Sequence, residues 1–134
     1  MIQKINHIGI AVSSLEAHIP FYRDVLKLPY KGTETVEDQK VRLAVFQAGE
    51  VNVELLEPTA PDSPIAGFIE RRGEGIHHLS YQVDDIEAQI AALKAAGVQM
   101  IDQSPRGGSH GSRIAFLHPK SSGKILTELT QLGG

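Results

Sequence analysis

Two histidines and two glutamates stand at matching places in a sequence that repeats itself. The segment INHIGIAVSSLEA contains His7, and the segment IHHLSYQVDDIEA contains His78, 71 residues further on. VNVELL and ILTELT then supply Glu54 and Glu128, which are 74 residues apart. Two imidazoles and two carboxylates suit a divalent first-row metal. If the halves pack about a pseudo-two-fold axis, the four side chains converge, so the pattern predicts one shared metal site.

Each of these side chains also has a simpler explanation. A histidine at the start of a strand is more often an interior polar group than a ligand, and Glu54 could face water. A lone buried carboxylate is costly, so a glutamate within a segment as apolar as VNVELL needs a reason. Because all four residues recur at equivalent positions, the shared metal site is the interpretation that the sequence favours.

The elements that would position these residues occur in the same order in both halves. Apolar and polar residues alternate at the start of each half, which predicts strands. The predicted strands cover 4–12, 29–37, 40–48, 50–57, 76–83, 98–103, 112–118 and 124–131. Each half is therefore β-α-β-β-β, and the fold class is α+β. We expect a single domain over 1–134, made of one module at about 1–72 and a second at about 73–134.

Capping signals predict the helices. The first strand of each half runs into a capping box, SSLE beginning at Ser13 and DDIE beginning at Asp84. Pro20 removes a hydrogen bond inside the first helix, so we expect a kink or a restart there. The second long helix is predicted over 85–96, and a short helix opened by a serine–proline pair over 63–71.

Composition limits the possible functions. The 134 residues carry a net charge of −3, which offers no electrostatic basis for binding nucleic acid or an anionic membrane. The absence of cysteine excludes disulfides, thiol catalysis and cysteine metal sites. The sequence shows neither a signal peptide nor a membrane-spanning run, so we expect a cytoplasmic protein.

Two longer stretches add to the repeat, and together they resemble the vicinal oxygen chelate superfamily. Within it the chain is most similar to the methylmalonyl-CoA epimerases, through ELLEPTAPDSPIAGFIERRGEGIHHLSYQVDDIEA (54–88) and HGSRIAFLHPKSSGKILTEL (110–129). The DSPIAGF run is not a general feature of the superfamily. The resemblance implies a glyoxalase-like fold, in which the two modules form a curved mixed sheet around the metal, and a homodimer.

The resemblance also implies a role for each repeated residue. His7 and His78 match the metal histidines of the family, Glu54 its fourth-strand ligand and Glu128 its last ligand. One divalent ion is expected, and cobalt, manganese, nickel and zinc all suit the ligands. The implied reaction interconverts (2R)- and (2S)-methylmalonyl-CoA by removing the proton at C2, and the metal stabilises the enolate. We expect Glu128 to act as one base and Glu54, on the opposite side, as the second.

Several assignments stay open. The glycine-rich segment 106–111 is either a flexible connection or part of a substrate site, in which Ser112 and Lys120 hold the carboxylate of the acyl-CoA substrate. Some epimerases are thought to carry a second base on the third strand, but Leu43 occupies that place here. Two histidines with two glutamates also match bacterial glyoxalase I, so a lactoylglutathione lyase is the first alternative. A non-catalytic small-molecule-binding protein of the same fold is the second.

Overall fold

Residues 1–133 are described by the structure, a computed structural model, and the chain divides into two units. The N-terminal unit is His7–His77, and the C-terminal unit combines Met1–Asn6 with the chain from His78 onward. Gly134, with which the second predicted module ends, lies outside the described residues. No helix within residues 1–133 is long and apolar enough to cross a membrane.

The N-terminal unit contains a mixed four-stranded arrangement. Its strands are the part of β1 (Ile2–Ala11) from His7 onward, β2 (Tyr30–Val36), β3 (Val41–Ala48) and β4 (Val51–Pro58). They are hydrogen-bonded in the order β2-β3-β4-β1. β1 runs parallel to β4, whereas the other two pairs are antiparallel. The last strand of this half therefore lies directly beside the first.

Two helices pack on the N-terminal unit. Leu15 of α1 (Leu15–Pro20) packs in an apolar cluster with Phe46 and Leu55. In a second apolar cluster, Ile65 of α2 (Pro64–Arg72) packs with Leu43 of β3 and Leu56 of β4. Side chains alternate along a strand, so Glu54 points away from the Leu55 cluster. The expected change at Pro20 is confirmed, because α1 ends there and a π-helix, Phe21–Val25, follows.

The C-terminal unit repeats this plan. Its strands are the part of β5 (Gly75–Val83) from His78 onward, β6 (Arg106–Gly107), β7 (Arg113–Leu117) and β8 (Thr127–Gln131). They are hydrogen-bonded in the order β5-β8-β7-β6. β5 runs parallel to β8, and α3 (Ile86–Ala95) packs its apolar side chains against Leu129. Among the described residues both halves are β-α-β-β-β, so the predicted α+β fold is confirmed.

The N-caps of both helices lie one residue beyond the predicted ones, and alanine, not glutamate, stands three residues after each cap. The N-cap of α1 is Ser14, not Ser13, because the Ser13 backbone N–H and hydroxyl instead donate to Glu74 at 2.7 and 3.0 Å. The N-cap of α3 is Asp85, not Asp84, because the Asp84 carboxylate accepts a hydrogen bond from the N-terminal amine at 2.7 Å. In each case the first of two suitable residues makes a contact with a residue distant in sequence, and the second residue caps the helix.

The predicted strand at 98–103 is wrong. Met100 makes only an isolated bridge to Leu117, and the extra strand of this half is the short β6. The Asp102 carboxylate accepts a hydrogen bond from the Phe116 backbone N–H at 2.8 Å. A side chain thus takes the place of a backbone partner, and the segment does not continue as a ladder.

Candidate metal centre

The N-terminal unit contains a buried pair of His7 and Glu54. Their exposed fractions are 5% and 6%, and His7 Nδ1 lies 3.5 Å from Glu54 Oε2. The parallel pairing of β1 with β4 explains this proximity. It sets His7 beside Asn52, and Glu54 lies two residues further along β4, beside Gly9 and on the same face of the strand as Asn52. The alternative that Glu54 faces water is therefore wrong.

The C-terminal unit contains the equivalent pair of His78 and Glu128. Their exposed fractions are 5% and 4%, and His78 Nε2 lies 3.8 Å from Glu128 Oε1. The ring of Phe116 packs edge-on against His78, with 5.6 Å between ring centroids. Each unit thus places a histidine of its first strand beside a glutamate of the parallel strand that ends the module.

The chemistry of these side chains fits a divalent metal. His7 and His78 each offer a buried imidazole nitrogen and Glu128 a buried carboxylate oxygen, which are donor types that suit a divalent metal. Within each pair, the separations of 3.5 and 3.8 Å exceed the length of an ordinary hydrogen bond. Ligand atoms that lie roughly 2.0–2.2 Å from one ion are about 3 to 4 Å from each other. Separations of 3.5 and 3.8 Å are compatible with two donors of one ion.

The two adjacent histidines of β5 differ in burial, since His78 is buried. His77 is only half-buried, and its ring packs against Phe68 with 5.0 Å between centroids. His18 contacts two other residues: its Nδ1 is 2.9 Å from the Ser14 carbonyl, and its Nε2 is 3.5 Å from Glu74. These two histidines have structural partners of their own.

The expected substrate-binding residues lie in different surroundings. Ser112 is buried and follows a short 3-10 helix, Ser109–Gly111, to whose first carbonyl its backbone N–H donates at 3.1 Å. Lys120 is exposed in a turn, where its backbone N–H donates to His118 Nδ1 at 3.1 Å. Leu43 is buried in an apolar cluster, so that position on β3 offers no base.

Sequence reasoning missed a pair of buried hydroxyls beside Glu128. Thr130 Oγ1 donates to Glu128 Oε1 at 3.1 Å, and Ser80 Oγ lies 2.6 Å from Thr130 Oγ1. Ser80 and Thr130 are each two residues beyond a candidate ligand, on the same face of its strand. The two-residue spacing from His78 and Glu128 is the feature of the sequence that predicts their position beside the candidate ligands.

Comparison with known proteins places this geometry in a family. The profile of the Glyoxalase/Bleomycin resistance protein/Dioxygenase superfamily matches residues 6–116. The "Uncharacterized protein YqjC" of Bacillus subtilis is 44% identical over 131 residues, which cover 98% of this chain and 94% of that protein.

Two further relatives carry names that describe an activity. The "Ethylmalonyl-CoA/methylmalonyl-CoA epimerase" of Cereibacter sphaeroides is 39% identical over 134 residues, covering 98% of this chain and 100% of that protein. A structure of a variant of Streptomyces coelicolor methylmalonyl-CoA epimerase, in complex with 2-nitronate-propionyl-CoA, has a TM-score of 0.96 and 38% identity. That match covers 100% of this chain and 97% of the other.

Proposed function

Because this chain belongs to the glyoxalase/bleomycin resistance protein/dioxygenase superfamily, we propose that it is a metal-dependent epimerase interconverting (2R)- and (2S)-methylmalonyl-CoA. The observation that carries the proposal is the duplicated, buried histidine–glutamate pair. The substrate class rests on the similarity to epimerases over nearly the whole chain. His7, Glu54, His78 and Glu128 together would bind one divalent ion.

The proposed chemistry divides between the ion and the two glutamates. When bound, a divalent ion would supply Lewis acidity toward the thioester oxygen, which lowers the cost of carbanion formation at C2. An ionised Glu128 takes the C2 proton on one side, and a protonated Glu54 returns a proton on the other. After one turnover the two protonation states are exchanged, and proton exchange with solvent restores them. Solvent hydrogen should therefore enter C2.

The remaining parts of the proposal concern substrate and assembly. Lys120 would supply a cation, and Ser112 a hydroxyl, for the carboxylate of the acyl-CoA. The family resemblance supports a homodimer, which sedimentation velocity would test.

A lactoylglutathione lyase is the second candidate function. It is favoured by one observation, the buried glutamate at position 54, since two histidines with two glutamates also match bacterial glyoxalase I. That enzyme too removes a proton beside a carbonyl. The two candidates therefore differ in substrate more than in the first chemical step.

Replacing His78 tests the metal site on which both candidates depend. His78→Ala should lower the amount of bound metal and the turnover of methylmalonyl-CoA together, because one of the proposed ligands is lost. The matched control is His77→Ala, which removes the adjacent histidine that packs on Phe68. Metal analysis and an epimerisation assay on the same preparations provide the measurement. Full activity of His78→Ala without bound metal would contradict the proposal.

A further inference from the structure

We propose that Thr130, supported by Ser80, is a positioning residue that fixes the Glu128 carboxylate for metal binding. The inference deepens the proposed function and rests on it, since it concerns how one of the four proposed ligands is held. It also distinguishes Glu128 from Glu54, because only Glu128 has a threonine two residues further along its strand.

The geometry is a chain of three buried side chains. Thr130 Oγ1 donates to Glu128 Oε1 at 3.1 Å, and Ser80 Oγ lies 2.6 Å from Thr130 Oγ1. The exposed fractions of Ser80, Thr130 and Glu128 are 0%, 3% and 4%. An ionised carboxylate only accepts hydrogen bonds, so the single Thr130 proton is used on Glu128. Ser80 must then donate to Thr130, and the direction of both hydrogen bonds is fixed.

The two parallel strands dictate this arrangement. In the register of β5 and β8, Ser80 lies beside Glu128 and Gln82 beside Thr130. Because side chains alternate, Glu128 and Thr130 share one face of β8, while Leu129 points into the apolar cluster under α3. The packing of Leu129 thus sets the direction in which both its neighbours project.

The hydrogen bond acts on the oxygen that matters for the pair. Glu128 Oε1, the acceptor of the Thr130 hydroxyl, is also the oxygen 3.8 Å from His78 Nε2. A donor on that atom opposes rotation of the carboxylate, so its orientation is set before any ion arrives. Partners of this kind typically contribute about 10- to 100-fold to metal affinity.

The two hydroxyl-bearing residues are not repeated in the first half of the sequence. At the offset of 71, Ser80 corresponds to Gly9, and at the offset of 74, Thr130 corresponds to Leu56. Neither residue has a hydroxyl, and Leu56 belongs to an apolar cluster. The two hydroxyls at Glu128 therefore have no counterpart at the equivalent positions, Gly9 and Leu56.

Cobalt binding to the metal-free, full-length protein tests the inference without reference to catalysis. Thr130→Val removes the hydroxyl and keeps the shape, and it should weaken Co²⁺ binding about 10- to 100-fold. Thr130→Ser keeps the hydroxyl and should stay close to the unsubstituted protein. Ser80→Ala, which removes only the second hydroxyl, should give a smaller loss. The readout is the visible absorption of bound cobalt during titration.

Thr127→Val is the matched control. Thr127 is a buried threonine of the same strand, but its hydroxyl donates to the Ile125 carbonyl at 3.0 Å. Unchanged cobalt affinity of Thr130→Val, or equal losses in Thr130→Val and Thr127→Val, would overturn the positioning role while leaving the proposed function intact. If the unsubstituted protein binds no cobalt, the metal site fails as well, and with it the proposed function.

Discussion

The two glutamates are the residues to which the proposal assigns the proton transfers. Each lies in a buried pair with a histidine, Glu54 at 3.5 Å and Glu128 at 3.8 Å. An inversion at carbon needs a proton removed on one side and supplied on the other. Because Leu43 is apolar and buried on β3, these two carboxylates are the bases that the proposal assigns.

Single amide substitutions should separate the two steps. Glu128→Gln and Glu54→Gln should each lower epimerisation by about 10²- to 10⁴-fold, the usual contribution of a positioned acid or base. Substrate binding should be retained better than turnover. Each variant should still exchange the C2 hydrogen of one epimer, the one that the remaining base can reach. NMR of each epimer in deuterated water measures this, and loss of exchange from both epimers in equal measure would contradict a two-base arrangement.

At the residue scale, the sequence singles out the two histidines and two glutamates because they are repeated, and the structure shows them as two buried pairs. Ser80 and Thr130 could not be found in the same way, since Gly9 and Leu56 stand in their places in the other half. Aligning the two halves of the sequence identifies only residues that are the same in both halves, and these two positions differ. The burial of both hydroxyls is a product of strand register, which the sequence alone does not state.

At the scale of elements, the helix starts show how tertiary contacts choose between neighbouring caps. Both SSLE and DDIE begin with two residues that are suitable as N-caps. Local sequence therefore predicts that a helix starts there, but not at which residue. The choice falls to Glu74, which binds Ser13, and to the N-terminal amine, which binds Asp84.

Replacing the two aspartates before α3 tests this assignment. Asp85→Ala should lower the free energy of unfolding by about 1 kcal/mol, since it removes the acceptor for the Ala88 backbone N–H. Asp84→Ala, the matched control, removes an exposed contact with the N-terminus and should cost less. The free energies of unfolding of both variants are measured by urea denaturation. A larger loss in Asp84→Ala would restore the capping box predicted from the sequence.

The loop before β5 should give the protein an acid-sensitive contact. The backbone N–H and hydroxyl of Ser13, with a further contribution from His18, hold the pKa of Glu74 below its usual value of 4.5. A carboxylate whose pKa is lowered by folding stabilises the protein above its unfolded pKa, and this contribution disappears as the pH falls through the folded value. Glu74→Gln should therefore be less stable than the unsubstituted protein at neutral pH.

The stability difference should then shrink in acid. The two proteins should converge as the pH falls from 4.5 through the lowered pKa of Glu74, because the carboxylate then becomes protonated and neutral like glutamine. Urea midpoints across this range provide the measurement. A difference that stays constant with pH would mean that the charge of Glu74 has no part in the contact.

At the scale of the whole molecule, the internal repeat explains why the fold could be predicted. Two β-α-β-β-β modules follow from the duplicated strand and helix signals, and the described residues contain both. The strand at 98–103 could not be predicted correctly, because the Asp102 side chain replaces a backbone partner there. The activity is less determined than the fold, since one ligand set serves more than one reaction in this superfamily.

Hydrogen exchange in deuterated water is the most direct test of the central claim. The purified, metal-analysed protein is incubated with one epimer of methylmalonyl-CoA and, separately, with the glutathione hemithioacetal of methylglyoxal. The proposed function predicts that deuterium enters C2 while the other epimer forms, and that no lactoylglutathione appears. Lactoylglutathione formation without exchange at C2 would contradict the epimerase and establish the lyase. Inactivity toward both substrates would contradict both enzymes and favour a small-molecule-binding protein.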